Sequence, residues 1–253
     1  MLRISVGGLT ILGRPDELSS RVEGLFVGPG GFEGWDDGPD VRRESIDREG
    51  QHGEFDMPVF NGSRVISIDG HALAWSDVEL GHLRNRIMGI AADGRRTRLT
   101  VEHQGSTLWA DVRRGARPTF RDAGIRFGML RARFAIHMVA ADPRKFGDLS
   151  DFPGGAMALN RGNFPATPEH LITGTSGAYT VNGPSGKKFM VSSGPGSGTD
   201  RIDMATGRVY RNGALQLGVT LRADLWTIPP GLPGVTHTVT AGSLVTRVPE
   251  TFV

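Results

Sequence analysis

Apolar and polar residues alternate along much of this 253-residue chain with the two-residue period of β-strands. The clearest case is the segment 129–140. One face there would carry only apolar side chains: Ala132, Phe134, Ile136, Met138 and Ala140. The other face would carry Arg131, Arg133, Ala135, His137 and Val139. Such alternation predicts a long strand with one buried face, which ends before Pro143 because proline cannot continue a central ladder.

The rest of the first half shows the same period, interrupted once. Residues 2–12 are predicted to form a strand, and residues 96–114 a hairpin that turns between His103 and Ser106. The interruption is helical. Ser76 and Glu79 form a capping box, apolar residues follow at helical spacing from Leu80 to Ala91, and Gly94 supplies the predicted stop.

The second half is turn-rich. Residues 148–178 contain much Gly, Pro, Ser and Thr, which predicts a boundary region or a long loop. Short strands are predicted after it, at 179–182, 187–192, 200–203, 208–211, 214–221 and 234–248. In the stretch IDMATGRVYRNG (202–213), Gly207 and the Asn212–Gly213 pair favour two tight turns in a three-stranded meander. Short strands at close spacing are typical of a β-sandwich.

Composition supports a turn-rich β protein and excludes several classes of chemistry. The chain has 37 glycines, 15 prolines and a net charge of +2, which is small for a protein that binds free polyanions. It has no cysteine, so disulfides, thiolate catalysis and zinc–thiolate sites are excluded. No signal peptide and no membrane-spanning stretch is predicted, so we expect no membrane insertion.

Catalytic and cofactor motifs are present only as fragments. The stretch 182–188 resembles a phosphate-binding loop but has Val181 and Lys188 at positions where that motif needs Gly and Ser or Thr. The seven histidines are scattered without metal-ligand spacing, and no serine lies in a nucleophile elbow. We therefore predict no catalytic residue, no cofactor and no metal.

Arginines are concentrated between residues 113 and 133. Seven arginines stand there against one acidic residue, Asp122. A solvated or internally paired face is the ordinary explanation of such a run. The functional explanation is contact with an acidic partner or a neighbouring subunit, because arginine suits fixed interface pairs.

The order of these features resembles a known family. RVISIDG (64–70) precedes the single helix, the hairpin and the long strand, and ADPRKF follows at 141–146. IDMATGRVYRNG at 202–213, WTIPPG at 226–231 and a Val- and Thr-rich segment at 235–248 complete the series. Together they resemble the distal tail proteins of bacteriophages with long, non-contractile tails. The likeness covers nearly the whole chain.

The resemblance implies a mainly β fold in two domains. Residues 1–147 would form an N-terminal β-sandwich or barrel with one helix, which builds a ring under the tail tube. Residues 148–253 would form a galectin-like β-sandwich. The implied role is structural: a homohexameric ring at the virion tail tip, made in the host cytoplasm, that joins the tail tube protein to the tail hub protein and to receptor-binding parts. DNA would only pass through its lumen.

The expected subunit or partner contacts follow from this role. They lie on the arginine-bearing strand and in the Gly- and Asp-rich loop 28–40, and comprise Arg126, Arg131, Arg133, His137, Asp36 and Asp37. The alternative function is a carbohydrate-binding module, in which Trp226 would stack on a sugar. The position of Trp226 before IPPG favours instead an anchor in the sandwich core. An enzyme ranks last, because no nucleophile or acid pair has supporting context.

Overall fold

The computed structural model describes residues 1–13, 22–126 and 128–253, apart from the side chain of Arg126. Contacts between Cα atoms divide the chain into two compact units. The barrel unit comprises Met1–Lys145 with Val253, and the sandwich unit comprises Phe146–Phe252. Both are built mainly from strands, as the sequence predicts, and the described part of the chain has one α-helix.

The barrel unit contains ten strands and the helix. Their bounds are β1 Arg3–Val6, β2 Leu9–Leu12, β3 Gly24–Glu33, β4 Val41–Arg42, β5 Phe60–Asn61, β6 Arg64–Ala74, α1 Asp77–Gly89, β7 Thr97–His103, β8 Ser106–Arg114, β9 Thr119–Arg126 and β10 Met129–Ala140. Seven of the strands form a closed barrel in the order β8-β7-β1-β2-β3-β6-β10, because β10 also pairs with β8. Strand β9 pairs with the first half of β10, residues 129–135.

Alternation along the strands fills the barrel. Ile66 and Ile68 of β6 and Ile136 and Met138 of β10 are fully buried, and they belong to one core cluster with side chains of β1, β2, β7 and β8. The predicted strand at 129–140 and the predicted hairpin with its turn near Gln104 are confirmed. The barrel is mixed, since β2 and β3 pair in parallel, and its strands alternate between inward and outward side chains as a closed sheet requires.

The helix covers part of this core. The hydroxyl of Ser76 accepts a hydrogen bond from the amide of Glu79 at 3.2 Å, so the predicted N-cap is confirmed. Leu80 and Ile87 are buried against the barrel. The predicted stop at Gly94 is wrong: the helix ends at Gly89, and Gly94 lies in the turn that follows.

The first predicted strand is also wrong in detail. Residues 2–12 form two strands, β1 and β2, that pair as a hairpin. Gly7 and Gly8 have φ values of 54° and 78°, the left-handed conformation that a two-residue hairpin turn needs. The buried positions change parity across this turn, from Ile4 and Val6 to Leu9 and Ile11, which one continuous strand could not do.

The sandwich unit contains twelve strands. Their bounds are β11 Lys145–Pro153, β12 Met157–Asn160, β13 Glu169–Thr173, β14 Tyr179–Asn182, β15 Lys188–Val191, β16 Thr199–Asp203, β17 Arg208–Arg211, β18 Ala214–Gln216, β19 Thr220–Ala223, β20 Gly231–Thr236, β21 Thr238–Val239 and β22 Ser243–Phe252, with a 3₁₀ turn at Pro184–Gly186. They run in the orders β18-β17-β16-β13-β22-β11, β19-β15-β14-β21 and β12-β20.

The two larger sheets face each other across one core, which makes this unit a β-sandwich. Ile172, Ile202 and Leu244 come from the six-stranded sheet. Tyr179 and Phe189 come from the four-stranded sheet, and all five side chains join one buried cluster. The predicted meander is confirmed as β16-β17-β18, with φ of 69° at Gly207 and 48° at Asn212.

The prediction of a long loop at 148–178 is wrong. These residues contain most of β11 and the whole of β12 and β13. Strand β13 pairs on both sides, with β16 and β22, so neighbouring strands stabilise a segment whose own composition favours turns. The predicted strand at 214–221 is two strands, β18 and β19, which lie in different sheets.

Candidate interaction site

Two buried cations of the barrel unit hold one surface loop. Arg64 is 1% exposed and donates from Nε to the carbonyl of Pro143 at 3.0 Å. Its Nη1 donates to the carbonyls of Gly34 at 2.8 Å and Trp35 at 3.1 Å and to that of Asp37. Lys145 is 7% exposed and donates from Nζ to the carbonyl of Trp35 at 2.7 Å. These contacts join RVISIDG, ADPRKF and loop 34–37 at one point.

We call Arg64, Lys145 and the backbone carbonyls that they bind the anchor. Its main electrostatic feature is the burial of its two cations. Desolvation lowers the pKa of Arg64, an effect that Asp37 and Asp36 oppose. Desolvation also lowers the pKa of Lys145, and repulsion by Arg64 adds to it. Both cations direct their donors to main-chain carbonyls, so the anchor fixes the path of the backbone.

The predicted acidic residues lie in the anchored loop. The carboxylate of Asp37 accepts a hydrogen bond from the amide of Gly34 at 2.9 Å, which closes the turn. Asp36 is exposed, and its carboxylate lies 4.0 Å from His103 Nδ1. Asp37 therefore has a structural role in the turn, whereas Asp36 presents its charge at the surface.

The loop leads into an exposed two-stranded ribbon, residues 41–61, which we call the arm. Strands β4 and β5 pair at its base, and the amide of Phe55 donates to the carbonyl of Ile46 at 2.9 Å nearer its tip. The amide of Gly62 donates to the carbonyl of Asp40 at 2.6 Å, which ties the arm to the anchored loop. Apart from Glu54 and Met57, every residue of the arm is exposed.

Arg131, Arg133 and His137 share the outward face of β10, as the sequence predicts. Arg133 is exposed and stands opposite Arg121 of β9 and opposite His71 of β6. Arg131 is half-buried, and its Nη2 reaches the carbonyl of Ala123 at 3.5 Å. In the part of the chain that the structure describes, neither Arg121 nor Arg133 forms an ion pair, so two like charges lie side by side.

A cleft of about 410 Å³ lies on this face between β3, β6, β9 and β10. Arg121 and Arg133 line it, with Pro29 on the opposite wall. That wall is a bulge of β3, residues 28–31, where the register with β6 shifts. A Cβ at Gly31 would come 2.1 Å from the carbonyl oxygen of Asp69, so this close approach requires glycine.

The structure does not bring together, within one chain, the five predicted contact residues whose side chains it describes. His137 Nδ1 lies 3.0 Å from the hydroxyl of Ser67, two same-face positions beyond Arg133 along β10. Among the described residues, no hydrogen bond or ion pair joins Asp36 or Asp37 to Arg131 or Arg133. The side chain of Arg126 lies outside the described residues.

Sequence reasoning missed the anchor and the cleft. One signal for Arg64 was present: in RVISIDG it has the same parity as Ile66 and Ile68, so alternation places its side chain inside. The pairing of Arg121 with Arg133 had no such signal, because it depends on the register between β9 and β10.

The sandwich unit buries a different set of polar groups. Asp200 is fully buried and accepts hydrogen bonds from Arg211 Nε at 2.8 Å and from the hydroxyl of Tyr179 at 3.0 Å. Burial, with the nearby Asp200 carboxylate, raises the pKa of Tyr179, which keeps the phenol protonated as a donor. These residues connect β14, β16 and β17.

A second buried cluster surrounds Trp226. The indole is 4% exposed and donates to His237 Nε2 at 3.0 Å. His170 packs on His237 with ring centroids 4.9 Å apart, and its Nδ1 lies 3.0 Å from the hydroxyl of Thr246. Trp226 is therefore a core anchor, as its position before IPPG favours. It offers no exposed ring face for a sugar.

Metal-ligand clusters and membrane-spanning helices are both absent from the described residues. Within ranges 1–13, 22–126 and 128–253, no three His, Cys, Asp or Glu side chains are grouped as metal ligands would be. In the same ranges, no helix has the length and apolar character needed to cross a bilayer.

The described chain thus folds as a closed seven-stranded barrel followed along the sequence by a β-sandwich unit. The chain is similar to the crystal structure of the SPP1 Dit protein (gp 19.1), described as a paradigm of hub adsorption apparatus in Gram-positive infecting phages. That match has a TM-score of 0.74 and 16% identity and covers 100% of each chain. It confirms, for the fold, the resemblance to distal tail proteins carried by the sequence motifs.

Other comparisons are weaker. The phage P2 baseplate in its activated conformation matches with TM-scores of 0.49 in the structure with Ca and 0.45 in the structure with Sr. Identity is 9% and 8%, over 83% of this chain and 87% of those chains. No protein-family model and no curated protein matches the sequence.

Proposed function

We propose that this chain is a structural protein of a bacteriophage tail tip. Copies of it, six in number, would form a ring that joins the tail tube to the hub and to receptor-binding parts, with a lumen through which DNA passes. The observation that carries the proposal is the fold match to the SPP1 hub protein over the whole length of both chains. The proposed role requires association and no catalysis.

The two domains would divide this work. Residues 1–147 would build the ring and meet the tail tube protein, and residues 148–253 would extend from it. The barrel unit supports this assignment because Arg121 and Arg133 stand opposite each other on its surface, and neither forms an ion pair among the described residues. Charged faces that only a neighbour can satisfy are typical of ring-forming subunits.

The proposed subunit contacts are the residues that the sequence predicts, with Arg133 and Asp36 as the central pair. Arg133 presents an exposed guanidinium and Asp36 an exposed carboxylate, and no contact joins them within one described chain. A head-to-tail interface pairs two different surfaces of the same protein, so acidic and basic patches that do not meet internally are suited to it. Arg126, Arg131, His137 and Asp37 would contribute around these two residues.

Imaging and mass measurement test the ring directly. We expect negative-stain images of the purified protein to show a six-fold ring with a central opening, and the native mass to be six times that of the chain. A monomer at every concentration, together with binding on a glycan array, would instead favour the carbohydrate-binding alternative. The burial of Trp226 argues against that alternative.

Charge reversal tests the contacts. The double variant Arg131→Glu, Arg133→Glu should dissociate the ring, as measured by light scattering. The matched control reverses two arginines of the sandwich unit, Arg161→Glu and Arg208→Glu, and should leave the mass unchanged. An unchanged mass in the first variant would remove β10 from the interface while leaving ring formation itself untouched.

A further inference from the structure

The arm, residues 41–61, exposes apolar side chains to solvent, although Arg42 lies over the ring of Phe60 and Arg48 over that of Phe55. Val41, Ile46, Phe55, Val59 and Phe60 are between 52% and 65% exposed. An isolated two-stranded ribbon is marginally stable in water, because it has no third strand or helix to pack against. The arm therefore has the character of an element that is completed by contact with another molecule.

The arm is also acidic towards its tip. Between residues 44 and 56, one arginine, Arg48, stands against five carboxylates: Glu44, Asp47, Glu49, Glu54 and Asp56. Glu54 pairs with Arg43 and with the hydroxyl of Ser45. Among the described residues, the other four carboxylates form no ion pair. The tip thus carries several carboxylates that are open to cations of another molecule.

The cleft on the outward face of the barrel has the complementary composition. Arg121 and Arg133 lie side by side on its floor, and like charges in that arrangement repel unless an anion lies between them. One carboxylate, Asp69, also lines the cleft. Thr119 and Pro29 complete walls in which an extended chain could lie. The charges of the cleft and of the arm are therefore complementary.

The geometry favours a cleft on another copy. The arm is exposed along its length, so it does not lie in the cleft of its own chain. Ten extended residues from Val41 to the tip at Gly50 reach roughly 30 Å. The anchor formed by Arg64 and Lys145 fixes the loop from which the arm begins, so its direction is defined.

We propose that the arm of one copy lies in the Arg121–Arg133 cleft of the next copy and so links successive subunits. This inference rests on the proposed ring. It adds the segment that makes the contact and the surface that receives it. Carboxylates of the arm would bind between the two guanidiniums, and the exposed Phe55 and Ile46 would be covered. The contact is heterologous, which generates a closed ring when the rotation between subunits closes.

Cysteine cross-linking tests the contact, because the chain has no cysteine of its own. The full chain with Gln51→Cys at the arm tip and Thr119→Cys in the cleft is treated with a short bifunctional maleimide. We expect a ladder of covalent oligomers that ends at the mass of the ring. The matched control pairs Gln51→Cys with Ala178→Cys on the exposed surface of the sandwich unit and should yield no ladder.

A charge exchange provides the second readout. Arg121→Glu with Arg133→Glu should weaken association at least about tenfold, and Glu44→Lys with Glu49→Lys should do the same. Combining the four changes should restore association to within about threefold of the original protein, because the charges are complementary again. Circular dichroism of each variant verifies that the barrel is folded, and a folded variant that still associates fully would contradict the proposal.

The outcomes separate the two proposals. A ring in native mass measurement without cross-links between positions 51 and 119 would overturn the arm contact and leave the ring standing. Cross-links within single chains would show the arm in its own cleft and would also overturn the contact. Absence of both ring and cross-links at the highest soluble concentration would overturn both proposals.

Discussion

The two units of this protein bury charge in different ways. In the barrel unit, Arg64 and Lys145 donate to backbone carbonyls of a surface loop. In the sandwich unit, Asp200 binds the side chains of Arg211 and Tyr179. The first arrangement fixes the path of a chain segment that continues into the solvent. The second connects strands within one core.

This difference indicates which of the two units needs contact with another molecule. The barrel unit uses two buried cations to orient a loop and an arm whose apolar side chains are exposed to solvent. The sandwich unit satisfies its buried Asp200 with Arg211 and Tyr179 of the same unit. We therefore expect association to depend on the barrel unit, and disruption of the sandwich polar groups to affect its folding alone.

The largest effect is expected from the buried ion pair. Asp200→Ala should destabilise the sandwich unit by about 4 kcal/mol, because it leaves Arg211 and the Tyr179 hydroxyl without their partner. Urea unfolding followed by Trp226 fluorescence measures it, in a background in which the three other tryptophans are replaced by phenylalanine.

A control for that variant is Asp151→Ala. Asp151 is 48% exposed and pairs with Arg247, so its loss should cost less than about 1 kcal/mol. Equal losses from the two aspartates would refute the role assigned to burial.

The anchor of the barrel unit should give the next largest effect. Arg64→Met keeps the apolar volume but leaves backbone carbonyls of the loop without a donor, which should cost about 3 kcal/mol. Chemical denaturation monitored by Trp35, which is buried beside the anchor, measures this. The exposed Arg117, replaced in the same way, should change stability by less than about 0.5 kcal/mol.

Acid should affect the sandwich unit through its two buried histidines. Burial lowers the pKa of His170 to about 3, with a contribution from His237, and lowers that of His237 to about 4. Both side chains are neutral in the folded unit, whereas the unfolded chain takes up protons below about pH 6.5. The unit is therefore most stable above that pH and loses stability as the pH falls towards the folded-state pKa values.

The expected loss is roughly 2 to 3 kcal/mol between pH 7 and pH 5.5 for the two histidines together. It is measured as the dependence of the urea midpoint on pH. His237→Phe should lower stability at every pH but reduce this dependence by about half. An unchanged slope would show that His237 takes up protons equally in the folded and unfolded states, which would contradict its burial as a neutral side chain.

The smallest expected effect concerns one turn of the meander. Asn212 has φ of 48°, and its side-chain oxygen accepts a hydrogen bond from the amide of Thr199 at 3.0 Å. Asn212→Ala should therefore cost about 1 to 2 kcal/mol, since alanine is strained in this conformation and cannot accept the bond. Asn212→Gly relieves the strain and should cost less; the reverse order in thermal melts would contradict this account.

Local patterns predicted the fold well wherever one face of an element is buried. The strand 129–140, the hairpin after the helix and the helix N-cap are confirmed because each depends on residues close in sequence. The strands within 148–178 were missed because their stability comes from neighbouring strands distant in sequence.

The candidate site was predictable only in part. The outward position of Arg131 and Arg133 follows from alternation along β10. The pairing of Arg133 with Arg121 depends on strand register, and the burial of Lys145 depends on the backbone of a loop 110 residues away. Tertiary contacts of that kind leave no periodic signal in the sequence.

Hydrogen–deuterium exchange in assembled and dissociated protein tests most directly the claim that association belongs to the barrel unit. High salt provides the dissociated state, because the proposed contacts are charged. We predict that amides of the arm, residues 41–61, and of β9 gain protection on assembly, while those of β16 to β18 exchange equally in both states. Protection gained only in the sandwich unit, with the arm unchanged, would contradict the account.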